Sequence, residues 1–512
     1  MEVELKLALD PKFKAALMRH PLLNGQTASK PHEQTLSDTY FDTPDLQLRQ
    51  NDNGLRIRRV NGGWVQNIKG GGTVHGGLHA RNEWESPVSG FVPELGRLRD
   101  VVDDKKTRRN VRAAASKGKG LEPIFTTKVE RTAWELHPDG GDHIELLLDQ
   151  GRLECDGKNS PINEIELELK SGDPTHLFDL ALALQQDIPL RIGNRSKADH
   201  GYALLQETPP AAVKAARLTL TAKMSVERAF QEIAFNTLAQ IQDNAEGVVV
   251  RHDVESLHQM RVGMRRLRSA LSMYKRLLHL PFDLQQELDW LAGELGDARD
   301  WDVLAGATLP AVAKQLANPA DIDGVREAAT TKANEHHLAA AAAVSSPRYT
   351  RLMLGIHRWL QAMGWHDDAE LMEASGKELA QPVAKFARSV LKRDQRRLRA
   401  RADKLSEATP DARHRVRIAA KKTRYAAEFF ASLFAAKTVR PYIKSLTGMQ
   451  DELGLLNDAA VADRLLGAVS ASRPELAANI SFVKGFLAAR TSGDDKQIIQ
   501  LWRRFERIDM PR

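Results

Sequence analysis

Glu2-Val3-Glu4-Leu5-Lys6 and Glu166-Leu167-Glu168-Leu169-Lys170 write the same alternation in two distant parts of the chain. Alternate side chains of a β-strand share a face, so each stretch puts two carboxylates and an ammonium on one side. The other side carries Val3, Leu5 and Leu7, or Ile165, Leu167 and Leu169. One such strand reads as an ordinary wet face over an apolar one. Two copies point to a space that holds cations and a polyanion together. Glu2, Glu4, Glu166 and Glu168 in one cavity repel one another unless compensated. Hard divalent cations such as Mg²⁺ or Mn²⁺, which prefer oxygen ligands, supply that compensation.

Further basic residues fall on strand-like segments: Arg56 and Arg58 in Leu-Arg-Ile-Arg, Lys69 after Trp64, Arg81, and Lys128 with Arg131. Many inward cations beside metal-binding carboxylates suit a condensed phosphate better than a lone carboxylate substrate. Extended segments are expected at 55–60, 63–69, 81–87, 125–136, 143–150 and 162–170, with Asn61-Gly62, Asp139-Gly140 and Asp156-Gly157 as hairpin signals. Helices are expected at 11–19 and 174–186, and 93–117 is mixed and basic. Gly70-Gly71-Gly72-Thr73 lacks the Gly-Lys-Ser/Thr ending of a phosphate loop and reads as a flexible strand connection.

At these residues the chain resembles the CYTH family of triphosphate tunnel metalloenzymes. The resemblance runs in order through Glu2-x-Glu4-x-Lys6, Tyr40-Phe41-Asp42-Thr43-Pro44, Leu55-Arg56-Ile57-Arg58, Trp64 to Lys69, Glu164 to Lys170 and Ser196-Lys197. It implies an eight-stranded antiparallel closed barrel with a charged tunnel, and metal-dependent hydrolysis of triphosphate or a triphosphate-bearing molecule. By position it makes Glu2, Glu4, Glu166 and Glu168 metal ligands, with Asp149 and Glu85 as additions. Lys6, Arg56, Arg58, Lys69, Arg81, Arg131, Lys170 and Lys197 line the phosphate path, and Glu2, Glu4, Lys6, Arg56, Arg58 and Lys69 form the catalytic set. One departure is Asp199-His200-Gly201, where many relatives carry an arginine before the glycine; His200 is given no role.

The 512 residues exceed one ordinary core, so two or three domains are expected. A single cysteine, Cys155, excludes an internal disulfide and a Cys-based zinc site and fits a reducing, cytoplasmic setting. Acidic residues stand where a secretory signal needs a basic and then apolar stretch, so export is not expected. No apolar run approaches the roughly 20 residues of a membrane helix, so no membrane insertion is expected. Residues 1–210 hold 28 Lys/Arg and 31 Asp/Glu, a net −3; with 74 and 67 in the whole chain, the remainder holds 46 and 36, a net +10. The second half should therefore attract polyanions.

Glu207-Thr208-Pro209-Pro210-Ala211-Ala212 reads as a linker, after which the period turns helical, with breaks near Pro281, Pro310, Pro347, Pro410 and Pro441. An internal repeat follows. His258, Arg261, Arg265, Arg266 and Arg268 return at the same offsets as His414, Arg417, Lys421, Lys422 and Arg424. Each copy is followed by a second shared element, Leu295-Gly296-Asp297-Ala298-Arg299-Asp300-Trp301-Asp302-Val303 and Leu453-Gly454-Leu455-Leu456-Asn457-Asp458-Ala459-Ala460-Val461, so a duplicated bundle is expected. Offsets of 0, +3, +7 and +10 keep a basic stripe on one helical face. Two stripes related by a pseudo-twofold make a groove for a linear polyanion. Nucleic acid is disfavoured, because aromatics are only 6% of the chain and base stacking uses them. Here the chain resembles the CHAD family, which implies an α-helical domain binding inorganic polyphosphate through these basic residues. Asp300, Asp302 and Asp458 are expected to orient the arginines or cap helices rather than bind metal.

The expected protein has a CYTH domain over 1–205, a linker over 206–222 and an all-α duplicated CHAD bundle over 223–510. Its expected function is inorganic triphosphate hydrolysis with Mg²⁺ or Mn²⁺, with polyphosphate bound by the helical domain. Alternatives are an adenylate cyclase of the CYTH class and a non-catalytic polyphosphate-binding or targeting protein.

Overall fold

The computed structural model describes residues 1–25, 28–60, 62–116, 120–138, 140–205, 211–403, 405, 409–491 and 495–511. It divides into two compact units, residues 1–210 with 347–362, and residues 211–346 with 363–512. Two of the expected hairpin signals, at Asn61 and Asp139, and the linker residues 206–210 lie outside the described residues.

The first unit is built on strands β1 (Glu2–Leu9), β2 (His32–Asp42), β3 (Asn53–Val60), β4 (Gly63–His75), β5 (Leu78–Val88), β6 (Glu122–Leu136), β7 (His143–Cys155), β8 (Lys158–Ser171) and β9 (Leu190–Ile192). They run β5-β4-β3-β2-β6-β7-β8-β1, all antiparallel, and β1 also pairs with β5, so eight strands close into a barrel with β9 attached to β1. Closure removes the sheet edges that would otherwise need protection. The two Glu-x-Glu-x-Lys strands are neighbours: Glu4 stands opposite Glu168 and Lys6 opposite Glu166.

Alternation sorts the side chains as the sequence indicates. Leu5, Leu7, Ile165 and Leu167 face outward into an apolar cluster with Leu177, Phe178, Ala181 and Leu184 of the Thr175–Asp187 helix. The same cluster takes in Leu354 of the Pro347–Gln361 helix, which packs with the barrel unit. This corrects the single helical domain drawn over 223–510: one helix from the middle of that range completes the outer core of the barrel.

Gly70–Thr73 is not a connection. It lies inside β4, where a bulge shifts the register between Gly70 and Thr73. A Cβ on Gly72, at φ +97°, would stand 2.0 Å from the Ala80 carbonyl oxygen, so only glycine fits.

The second unit is helical, with Val226–Gln242, Val254–Tyr274, Phe282–Val303, Asp323–Ser345, Val383–Ala402, Pro410–Phe429 and the long Ala436–Ser472 as its main elements. Pro281, Pro347 and Pro410 stand at helix starts, where a missing N–H costs least. Pro441 does not break the chain; it sits within the Ala436–Ser472 helix. Among the described residues no helix is long and apolar enough to cross a membrane.

Candidate active site

The inner face of the barrel is a charged cavity. Glu2, Glu4 and Lys6 from β1, Arg56 and Arg58 from β3, Lys69 from β4, Arg81 from β5, Arg131 from β6, Asp149 from β7, Glu166 and Glu168 from β8, and Lys197 all line it. The whole catalytic set and every metal candidate except Glu85 are therefore in one place, and of the phosphate-path candidates only Lys170 is not among the lining residues. Lys170 pairs instead with Glu145 at 2.9 Å and Glu168 at 2.8 Å. Lys128 points away from the cavity, half-exposed and paired with Glu154 at 2.8 Å, because its position has the opposite parity to Arg131 on β6. Glu85 is exposed and accepts from Asn67 at 2.9 Å.

Several groups that line the cavity or hold its cations were not singled out from the sequence. Asp38 on β2 takes both nitrogens of Arg58 at 2.5 and 2.7 Å and Arg56 at 3.2 Å. Glu83 on β5 receives Arg56 at 3.4 Å and Lys69 at 3.4 Å. Glu164, two residues before Glu166 on the same strand face, holds Lys197. His79, opposite Glu4, bonds the Gly193 carbonyl at 3.0 Å, and burial beside Lys6 pushes it down to about 4, so it is a neutral imidazole.

Lys197 reaches the cavity from the start of the Lys197–Leu205 helix. Ser196 and Asp199 bond each other there, at 2.6 Å from hydroxyl to carboxylate, and Arg49 pairs with Asp199. The helix is anchored by the Tyr202 hydroxyl, which donates to Asp42 at 2.8 Å; Asp42 also accepts backbone N–H groups of Leu48 and Arg49 at 2.9 Å each. The Tyr-Phe-Asp segment of β2 thus does structural work, fixing the element that carries a cavity lysine.

Cross-cavity ion pairs fill the interior. Lys6 sits against Glu166 and 3.0 Å from Glu4; Lys69 sits against Glu2; Lys197 lies 2.6 Å from Asp149 and 3.0 Å from Glu166; Arg131 bonds Asp149 at 2.6 Å and Glu166 at 3.0 Å. The free space left between them is about 90 Å³. Eight Lys/Arg and eight Asp/Glu line the cavity. Its own charges balance, so a polyanion entering alone would meet as many carboxylates as cations.

The donor set fits a hard divalent cation. Oxygen atoms of Asp149, Glu164 and Glu166 lie within 4.8 Å of one another. Burial pushes Glu2 up to about 7 in spite of Lys69, with Glu4 and Glu83 adding to the rise, so that corner lacks positive charge. A bound cation would supply it.

In the helical unit, a second basic cluster forms where the two repeat copies meet. Arg261 donates to the Gly296 carbonyl at 2.6 Å and to Asp300 at 3.0 Å; Arg417 donates to Asn457 at 2.7 Å. Burial and then Arg417, Arg265 and Arg261 push Lys421 down to about 7, with Asp458 opposing. His258 is lowered by burial and by Arg299, Arg265 and Arg261. Not all the repeat positions join this cluster. Arg266 is buried, bonded to Gln240 at 2.8 Å and Asn236 at 3.1 Å, and its guanidinium covers the Phe429 ring. Arg268 pairs with Asp289, and Arg424 bonds Gln450 and Glu428 at 2.9 Å each. Lys422 faces Ser272 at 3.1 Å. His414 is exposed and lines a separate pocket with Arg417 and Lys484. Asp302 bonds His337 at 2.7 Å rather than an arginine.

Comparison with known proteins follows the same division. The CYTH domain family matches residues 1–202 and the CHAD domain family matches residues 232–467. The inorganic triphosphatase of Haemophilus influenzae is 33% identical over 204 residues, 40% of this chain and 54% of that protein. The thiamine-triphosphatase of Macaca fascicularis is 32% identical over 117 residues, 23% of this chain and 49% of that protein. This chain thus spans about half the length of these curated relatives. The crystal structure of the CHAD domain from Ricinus communis superposes with a TM-score of 0.53 at 36% identity, covering 59% of this chain and 99% of that one. The chain belongs to the CYTH family over its first 202 residues and to the CHAD family over residues 232–467.

Proposed function

We propose that the barrel hydrolyses inorganic triphosphate with Mg²⁺ or Mn²⁺ and that the helical unit binds inorganic polyphosphate. The observation carrying the first part is the cavity itself: cations from five strands and the Lys197–Leu205 helix converge on one space together with a carboxylate set suited to hard metals. The name of the Haemophilus relative, an inorganic triphosphatase, agrees with this substrate class.

Glu2, Glu4, Asp149, Glu164, Glu166 and Glu168 would hold the metal. When bound, Mg²⁺ or Mn²⁺ neutralises phosphate oxygens and makes a coordinated water a stronger nucleophile at neutral pH. The remaining work falls to the chain's cations. Arg56, Arg58, Lys69, Arg131 and Lys197 are each held by carboxylates and preoriented towards the cavity. Phosphate oxygens replace those partners one for one, so substrate entry exchanges ion pairs rather than creating unpaired charge. Their fixed positions keep the phosphate chain extended and offset charge on the transferring phosphoryl group, with no protein nucleophile required.

The test is phosphate release from triphosphate, ATP and long-chain polyphosphate with either metal. Glu4→Ala is expected to lower kcat/KM at least tenfold, because Glu4 is buried beside Lys6. Equal turnover in the variant overturns the assignment, and formation of cyclic AMP with pyrophosphate would favour a cyclase.

For the helical unit, the repeat-derived cluster of Arg261, Arg265, Arg417 and Lys421 carries the reading. A bound polyanion favours the charged lysine and raises Lys421 from about 7 towards its ordinary range. Binding then takes up a proton above pH 7, and affinity falls by up to about tenfold per pH unit between pH 7 and 9. Titration calorimetry of polyphosphate binding in buffers of different ionisation enthalpy should detect that proton. Lys421→Arg, which stays charged, should flatten the profile; an unchanged profile in that variant removes Lys421 from the site.

A further inference from the structure

The inner face of β6 and β7 continues beyond the cavity. Counting by twos from Arg131 on β6 leads through Ala133 to Glu135 and, past the strand end, His137; from Asp149 on β7 it leads through Leu147 and Glu145 to His143. Leu136 and Ile144, the last cross-strand pair, face the outer apolar cluster. Glu135, His137 and His143 therefore gather on the cavity side, where the β6–β7 hairpin begins.

Their donor atoms lie within 4.8 Å of one another. The two imidazoles stack with centroids 4.6 Å apart at 28°. The Nε2 of His143 is shut off from solvent and has no hydrogen-bond partner; it faces a Glu135 carboxylate oxygen at 3.9 Å, too far for a hydrogen bond. A buried ring nitrogen without a partner costs free energy unless something is bound to it. Stacked histidines and a carboxylate converging on that nitrogen leave a position between the three donors.

We propose that Glu135, His137 and His143 bind a borderline-soft divalent transition-metal ion such as Zn²⁺, Co²⁺ or Ni²⁺, at a site separate from the oxygen-only carboxylates deeper in the barrel. Two imidazoles and one carboxylate are the donor set such ions take, whereas Mg²⁺ favours oxygen ligands and retained waters. Metal–nitrogen distances of about 2.0–2.1 Å require the donors to draw closer than they stand. Glu135 and His137 are exposed and His143 is half-buried near the start of its strand, so side-chain rotation can bring the donors together. Three protein ligands leave at least one coordination position open to water or an anion. Glu145, two residues from His143 on β7, is already paired with Lys170 at 2.9 Å.

The test uses the full-length, tag-free chain in millimolar Mg²⁺, which occupies oxygen-only sites. Co²⁺ is titrated in while visible absorption is followed, and Zn²⁺ binding is measured by calorimetry. The wild type is expected to show a nitrogen-ligated Co²⁺ spectrum that Zn²⁺ displaces. His137→Ala/His143→Ala should lose that spectrum and one Zn²⁺ equivalent, while Glu164→Gln should keep both. Both histidines stand outside the apolar cluster, so the double variant is expected to fold, which circular dichroism checks. Identical spectra and stoichiometry in wild type and double variant overturn the proposal, as does loss of the spectrum in Glu164→Gln alone.

Discussion

Glu166→Ala is expected to lower triphosphate turnover more than a hundredfold and to cost about 3–5 kcal/mol of stability, the range for removing one partner of a buried ion pair. Glu166 is buried and receives Lys6, Lys197 at 3.0 Å and Arg131 at 3.0 Å. Burial alone would raise its carboxyl; Lys197, Lys6 and Arg131 more than offset this and hold it well below the usual carboxylate range. The reciprocal effect holds Lys6 and Lys197 above the ordinary lysine range against their own burial. A depressed carboxylate contributes its full stability above its unfolded value and loses it only as the pH falls through the folded one. The loss in the variant is therefore complete at neutral pH and shrinks on strong acidification. Alanine leaves Lys6, Lys197 and Arg131 with less anionic compensation, while triphosphate can restore it. Added triphosphate without metal should thus raise the melting temperature of Glu166→Ala more than that of the wild type. Scanning calorimetry with and without the anion checks this; a variant melting and turning over like the wild type would remove Glu166 from the centre of the cavity.

The barrel was legible where alternation is strict, as in Glu2 to Leu7 and Ile162 to Lys170. It was not legible at β2, His32–Asp42, whose first four residues are exposed and polar and whose pattern settles only from Leu36. Asp38 and Glu83 escaped because their importance depends on cross-strand register: Asp38 stands opposite Arg58 and Glu83 opposite Lys69. Glu164 was within reach, since it shares the parity of Glu166. The helical repeat was read correctly as a repeat and too broadly as a stripe. At about 100° per residue, the +8 position turns roughly 80° from the first. That rotation sends Arg266 into the core and Lys422 to another face, while +3 and +7 stay near the stripe. The Pro347–Gln361 helix could not be placed from sequence, because an amphipathic helix reports that one face is covered and not by what.

The same helix carries the other large expected effect. Leu354→Ala should cost about 2–5 kcal/mol, as for buried leucine elsewhere, and Leu354→Asp more, because it adds an unpaired buried charge. Leu354 is fully buried among Leu5, Leu7, Leu184 and Leu190. Around it, Arg358 bonds Asp179 at 2.7 Å, and Gln185 donates to the Pro347 carbonyl at 3.3 Å while accepting the Leu190 N–H at 2.8 Å. His357 stacks on Phe178 at 6.3 Å and fills the space beside Gly76, where a Cβ would come within 2.4 Å of its ring. These contacts reach the active strand through backbone: Gly193 donates to the Lys6 carbonyl at 2.8 Å, and Lys6 donates to the Gly77 carbonyl at 2.9 Å. Loss of the helix from its seat should therefore loosen β9 and the inner end of β1 before the far side of the barrel. Hydrogen exchange should accelerate at Leu5–Leu9 and Leu190–Ile192 in Leu354→Ala, and triphosphate turnover should fall with it while polyphosphate binding is kept. Unchanged exchange in those two strands would mean that the helix covers the barrel without supporting it.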